Sequence, residues 1–134
     1  MEAQIRTWVK EYGLTDYTQI LIAPNNVQEI LKSADIYLST SLFEGTSNSI
    51  MEAMNWSIPV VATNVGDNYV LVEEDKSGYL TPIGDVDRLV KGLSILLSSY
   101  QTRVLMGQKG HENLYNFSPE KFRDNYYEIL KTKI

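Results

Sequence analysis

Phe43-Glu44-Gly45-Thr46-Ser47-Asn48-Ser49-Ile50-Met51-Glu52-Ala53-Met54 is the stretch on which the reading of this chain turns. It follows an apolar, strand-like run, Asp35-Ile36-Tyr37-Leu38-Ser39, and opens a helix whose apolar positions are Ile50, Ala53 and Met54. The residues between are small or hydroxyl-bearing, with Glu44 ahead of them and Glu52 just behind. A loop at the carboxyl end of a parallel strand, running into a helix amino-terminus, is where open α/β sheets bind anionic ligands, because unsatisfied N–H groups converge there. The amides of Thr46 to Ile50 are the donors expected here, and small side chains let a phosphate approach them. Glu44 and Glu52 suit a different chemistry. An ionised carboxylate only accepts hydrogen bonds, so it matches hydroxyls rather than phosphates. A ribose diol or a sugar ring offers those hydroxyls. Structural roles compete for the same residues: Ser49-x-x-Glu52 has the form of a capping box, and Glu44 could equally be a solvated loop acid.

Seven residues separate Glu44 from Glu52, and Glu-Gly-Thr-Ser-Asn-Ser-Ile-Met-Glu-Ala-Met resembles the E-x7-E signature of family 4 retaining glycosyltransferases. The flanks agree with it: Ala34-Asp35-Ile36 and Ser41 before, then Ile58-Pro59-Val60-Val61-Ala62-Thr63, Val65-Gly66 and Gly78-Tyr79-Leu80 after. The similarity extends over nearly the whole chain. It implies an α/β fold, a Rossmann-like parallel sheet with flanking helices, as in the donor half of a GT-B enzyme. By the same resemblance Glu44 contacts the donor sugar and is the catalytic carboxylate, and Glu52 accepts the ribose hydroxyls. The backbone amides of Gly45, Thr46, Ser47, Asn48 and Ser49 then face the diphosphate or the sugar. The base is expected near Ala23-Pro24-Asn25-Asn26. That family often carries Gly where Ser47 stands here, which leaves the loop geometry at that point open. The implied ligand is a nucleoside-diphosphate sugar, with no metal and no other cofactor.

Composition sets the outer bounds. The chain has 134 residues, one domain's worth, enough to bury roughly two-thirds of its unfolded surface. Its 43 % hydrophobic and 22 % charged residues are ordinary for a globular protein. Cysteine is absent, which excludes disulfides, thiolate metal sites and thiol nucleophiles and permits a cytoplasmic location, with attachment at the inner face of a membrane left open. A net charge of −5 argues against nucleic acid as a partner. No apolar run is long enough to span a bilayer, and Met1-Glu2-Ala3 does not read as a signal peptide.

Along the chain, Ile5, Trp8, Val9 and Tyr12 follow helical spacing, with Gly13 placed to end that helix. Gln19 to Ala23 reads as a strand, and Asn26 with Glu29 starts a helix through Val27, Ile30 and Leu31. After the central segment, Pro59 to Ala62 is a strand, Tyr69 to Glu74 a short helix and Tyr79 to Thr81 a strand. Helices follow, one lined by Val86, Leu89, Val90, Leu93 and Leu97, one over about 101–115, and a last over about 119–132 with Phe122, Tyr126, Ile129 and Leu130 inward. The nine tyrosines are expected mostly at core positions. Asp85-Val86-Asp87 spells a D-x-D, but its place at a helix start favours capping over metal binding. His111, the only histidine, reads as a surface or boundary residue.

The resemblance also implies what these residues do not supply. It begins after the second strand of a six-stranded donor unit, so the first two strands and the acceptor half have no counterpart in 1–134, which reads as a single partial donor-binding domain. No Lys or Arg occurs between Lys32 and Lys76, so the cations that would stabilise a departing diphosphate are absent from the central segment. The expectation is a glycosyltransferase piece that is inactive alone. Its alternative is a non-catalytic donor-binding subunit that pairs with a separate acceptor-domain chain. An exposed sheet edge would promote association with another chain.

Overall fold

The structure, a computed structural model, describes residues 1–131. Three strands form one parallel sheet in the order β1 (Tyr37–Ser39), β2 (Val60–Thr63), β3 (Gly78–Thr81). Tyr37 stands opposite Val60, and Val60 opposite Gly78. Every residue of β2 is buried, as befits a central parallel strand with helices on both faces. Side chains alternate across the pleat, and the two halves of the core follow from that. Val60, Ala62 and Leu80 pack on Ile50 and Met54 of α3 (Asn48–Asn55) and on Leu71 of α4 (Asn68–Leu71). On the opposite face Val61 meets Leu96 of α5 (Val86–Ser98) and Met106 of α6 (Tyr100–Asn113). α2 (Val27–Lys32) joins α3 through Leu31, Ala53 and Ile58.

The remaining helices are α1 (Glu2–Glu11) and α7 (Pro119–Lys131). Gly13 ends α1 at φ 66°, with its own N–H donating to the Lys10 carbonyl at 3.1 Å and the Leu14 N–H to that of Val9 at 2.8 Å. Fully burying an aliphatic side chain contributes roughly 1.5–3 kcal/mol. α1 buries none, so little beyond its own hydrogen bonds and cap holds it.

Several expectations are corrected here. Gln19–Ala23 is not a strand: an extended segment becomes one only by pairing, and the sheet consists of β1, β2 and β3 alone among the described residues. Leu21 and Ile22 are accordingly exposed. Phe122, Tyr126, Ile129 and Leu130 of α7 are 43–74 % exposed rather than inward, because α7 is packed chiefly on the short 3₁₀ segment Leu114–Phe117. The predicted end of that helix at 132 lies outside the described residues. Seven of the tyrosines (12, 17, 69, 100, 115, 126 and 127) are exposed, and only Tyr37 and Tyr79 reach the core. In α5 the inward face runs through Leu89, Leu93 and Leu96, leaving Val86, Val90 and Leu97 in solvent.

The two sheet edges differ. In a parallel ladder alternate residues turn their N–H and C=O groups outward. On β3 two of those groups are satisfied locally: the Gly78 carbonyl accepts from the Asp75 N–H at 3.1 Å, and the Leu80 N–H donates to Glu74 Oε2 at 2.6 Å. Arg88 holds the other Glu74 oxygen at 2.8 Å, and that hydrogen bond raises the Arg88 pKa. No strand pairs with the outer edge of β1 among the described residues, and Leu38 at its centre is 44 % exposed.

Candidate functional site

Two loops meet at the carboxyl ends of β1 and β2. The Thr63 hydroxyl donates to the Ser41 carbonyl at 2.6 Å, the Asp67 N–H to the Gly45 carbonyl at 3.1 Å, and the Thr46 hydroxyl to Asp67 Oδ2 at 3.0 Å. Gly66 makes this contact possible. Its φ is +53°, and a Cβ there would sit 2.4 Å from the Glu44 carbonyl oxygen and 2.5 Å from that of Gly45. The second loop is anchored from below by buried Asn68, whose Nδ2 donates to the Thr63 carbonyl at 2.9 Å.

Within the first loop Glu44 is half-buried and accepts a hydrogen bond of 2.7 Å from Ser41, whose hydroxyl lies 3.3 Å from that of Ser39. It is therefore a positioned carboxylate rather than a solvated loop acid. The start of α3 overturns the capping-box alternative. Ser47 is the N-cap and makes no side-chain cap bond, its hydroxyl lying 3.1 Å from that of Ser49 instead. With the cap at Ser47 the third helical residue is Ile50, so Glu52 lies too far along to reach back and close a box. The first-turn N–H groups of α3 thus receive no capping side chain, and a helix amino end of this kind carries about half a positive charge. Gly45, Thr46, Asn48 and Ser49 are exposed around it, and Ser47 is buried.

Glu52, half-buried on α3, lines a cavity of about 380 Å³ with Gln28, Asn48, Met51, Asn55 and Leu114. Pro24, Asn25 and Asn26, the expected base-binding residues, lie just before α2, with Asn26 at its N-cap and its Nδ2 3.5 Å from Glu29 Oε2. The wall that α2 gives to the Glu52 cavity comes from Gln28 instead. Folding thus sets Glu44 beside the 64–67 loop and Glu52 opposite α2. A larger cavity of about 650 Å³, bounded by Asn64, Tyr69, Leu80 and Arg88 among others, has no expected site residue in its wall.

Sequence reasoning missed Asp67 and Gln28 as neighbours of the two glutamates. The Val65-Gly66 pair pointed to the second loop, whereas nothing local marks Gln28, which reaches α3 only through the packing of α2. Asp85 caps α5, accepting from the Arg88 N–H at 3.0 Å, and Asp87 occupies the first turn. His111 is exposed, with Nδ1 3.1 Å from the Asn55 carbonyl oxygen. Among the described residues no group of three or more His, Cys, Asp or Glu could hold a metal ion. No helix among them is long and apolar enough to cross a membrane. The cations bordering the central segment are engaged: Lys32 lies 4.4 Å from the centre of the Trp56 ring, and Lys76 pairs with Glu73.

Comparison with known proteins fits this geometry. The family model "Glycosyl transferases group 1" matches residues 1–113. An Escherichia coli relative, UDP-Gal:alpha-D-GlcNAc-diphosphoundecaprenol alpha-1,3-galactosyltransferase, is 32 % identical over 113 residues, covering 81 % of this chain and 29 % of the relative. The chain spans about a third of the length of the curated relatives it matches. The crystal structure of the C-terminal domain of a glycosyl transferase group 1 protein from Francisella tularensis superposes with a TM-score of 0.75 at 23 % identity, over 86 % of this chain and 60 % of that one. Anabaena HepE, solved with UDP-glucose, gives 0.83 at 21 % identity, over 97 % and 36 %. These likenesses identify the Rossmann-like sheet as that of a GT-B carboxyl-terminal domain. From the family model and the loop-and-helix architecture together, the chain belongs to the group 1 glycosyl transferases.

Proposed function

We propose that this chain binds the nucleoside-diphosphate sugar of a retaining, family 4 glycosyltransferase, and that the acceptor side of the cleft comes from polypeptide outside residues 1–134. The observation that carries the reading is the start of α3 at Ser47, which frees both the first-turn N–H groups and the Glu52 carboxylate from capping. Glu52 then accepts from the ribose diol, the amides of Gly45 to Ser49 face the diphosphate, and Glu44, held by Ser41, contacts the sugar at the reacting carbon. Pro24, Asn25 and Asn26 border the base. The likeness to HepE, a protein solved with UDP-glucose, supports a nucleotide sugar as the ligand. The proposed place of action is the cytoplasm, at the inner face of a membrane.

Glu52→Gln tests this reading. The amide loses the charge and turns donors toward donors, and hydrogen bonds to a charged group are worth about 1.5–3 kcal/mol. Affinity for UDP or GDP, measured by calorimetry on folded protein, is expected to fall at least about ten-fold. Equal affinities would remove Glu52 from the site. Donor binding is also expected to survive EDTA, with Asp85→Asn and Asp87→Asn without effect. A Mn²⁺ or Mg²⁺ requirement abolished by either substitution would overturn the metal-free reading.

The unpaired outer edge of β1 favours a second reading, a donor-binding subunit completed by a separate acceptor-domain chain. Restoration of transfer by an acceptor domain added as a separate polypeptide would support it. Restoration only by covalent fusion would exclude it.

A further inference from the structure

We infer that Gln28 is a second nucleotide-binding residue, donating to a ribose hydroxyl across the cavity from Glu52; this deepens the reading above and rests on it. Gln28 and Glu52 line one cavity of about 380 Å³ from two different helices, α2 and α3. The orientation of the Gln28 amide is fixed by its partner. Trp56 Nε1 lies 2.7 Å from Gln28 Oε1, and an indole N–H can only donate, so the oxygen of the amide must face it. The NH₂ group is left over, and it has no acceptor among the described residues. Trp56 is steadied in turn by Lys32, one turn beyond Gln28 on α2, whose ammonium lies 4.4 Å from the ring centre.

The cavity lining therefore includes an amide donor from α2 and a carboxylate acceptor from α3. A vicinal diol complements that pair, since each hydroxyl both donates and accepts. A free phosphate does not, because Glu52 repels it. Met51 and Leu114 supply apolar wall for the carbon face of a ribose.

The test uses the full chain, titrated with UDP and GDP and with the 2′,3′-dideoxy analogue of whichever binds. Gln28→Glu keeps an oxygen for the Trp56 N–H, so the contact between α2 and α3 survives, but it replaces the cavity-facing donor by an acceptor opposite Glu52. Affinity for the ribonucleotide is expected to fall about ten-fold or more, with an unchanged unfolding midpoint. Gln28→Glu should lose several-fold less affinity for the dideoxy analogue than for the ribonucleotide, since added charge weakens both ligands and only the ribonucleotide loses the hydroxyl contact, a difference that a purely structural role would not produce. Trp56→Phe, which keeps the ring but loses the orienting N–H, should lower affinity about three-fold. If Gln28→Glu binds the ribonucleotide as wild type does while Glu52→Gln is weakened, the role of Gln28 is overturned and the site stands. An equal loss for ribo and dideoxy ligands likewise overturns the ribose assignment. If wild type binds neither UDP nor GDP, the site reading and this inference fall together.

Discussion

Gly66→Ala is expected to lower the thermal unfolding midpoint by roughly 10 °C and to reduce donor binding below detection. Two costs add. An alanine at φ +53° carries a left-handed penalty of about 1–2 kcal/mol. Its Cβ would also sit 2.4 Å from the Glu44 carbonyl oxygen, a backbone atom that no rotamer change can move aside. Overpacking of this kind costs about 1–3 kcal/mol, and in a domain of this size each kcal/mol lost lowers the midpoint by roughly 4 °C. Relief requires the 44–45 loop to retreat, which breaks the Asp67 to Gly45 and Thr46 to Asp67 hydrogen bonds and moves Glu44. Gly45→Ala is the matched control, since a Cβ there meets nothing within 4 Å. Circular dichroism melts of the two variants settle the matter. If they melt together, the two loops do not touch as described.

The isolated chain is expected to transfer no sugar, at a rate lower by many powers of ten than that of an assembly containing the acceptor side. Holding acceptor and donor together accounts for about 7–11 kcal/mol of a bimolecular barrier, and in the proposed reading the acceptor wall needed for that term is supplied from elsewhere. The departing diphosphate lacks help as well. No Lys or Arg lies between 32 and 76, and the bordering Lys32 and Lys76 are engaged with Trp56 and Glu73. Amides at the start of α3 are then the charge stabilisers that the chain offers, and electrostatic stabilisation is usually the largest catalytic contribution. The assay is transfer of labelled sugar to the acceptor by the chain alone, then by the chain joined to a family-type amino-terminal half. Slow donor hydrolysis by the chain alone is compatible with this expectation. Robust acceptor glycosylation by it would refute it.

What the sequence disclosed and what it hid divide along the range of the forces involved. Pro59 to Ala62 announces a strand by its β-branched residues, one residue short of its observed end at Thr63, and Glu44-Gly45-Thr46-Ser47 announces a strand-to-helix loop by its small residues, so the fold class and the loop carrying the first candidate residues were legible. Gln19–Ala23 has the same local character as a strand, yet strand formation is decided by a neighbour that local composition does not report. The same holds for α7, where Phe122 and Tyr126 follow an inward period but are 74 % and 55 % exposed. The capping box failed for a subtler reason. Ser47 and Ser49 are both acceptable caps, and the helix starts two residues earlier than the Ser49-x-x-Glu52 pattern suggests, just after the loop that the Asp67 to Gly45 hydrogen bond ties down. Gln28 was invisible because its partner Trp56 is 28 residues away.

The difference between the two sheet edges limits how copies of this chain can polymerise. A fibril grows by edge pairing only if every copy offers two free edges, one to the copy before it and one to the copy after. Here β3 spends the Gly78 carbonyl on Asp75 and the Leu80 N–H on Glu74, and Arg88 clamps that carboxylate in place. The β3 edge is therefore less open to strand addition than that of β1. Where the outer edge of β1 is left bare, two copies joining through it cap one another and leave outward only the less open β3 edges. Removing Glu74 would free the Leu80 N–H and narrow the difference between the two edges.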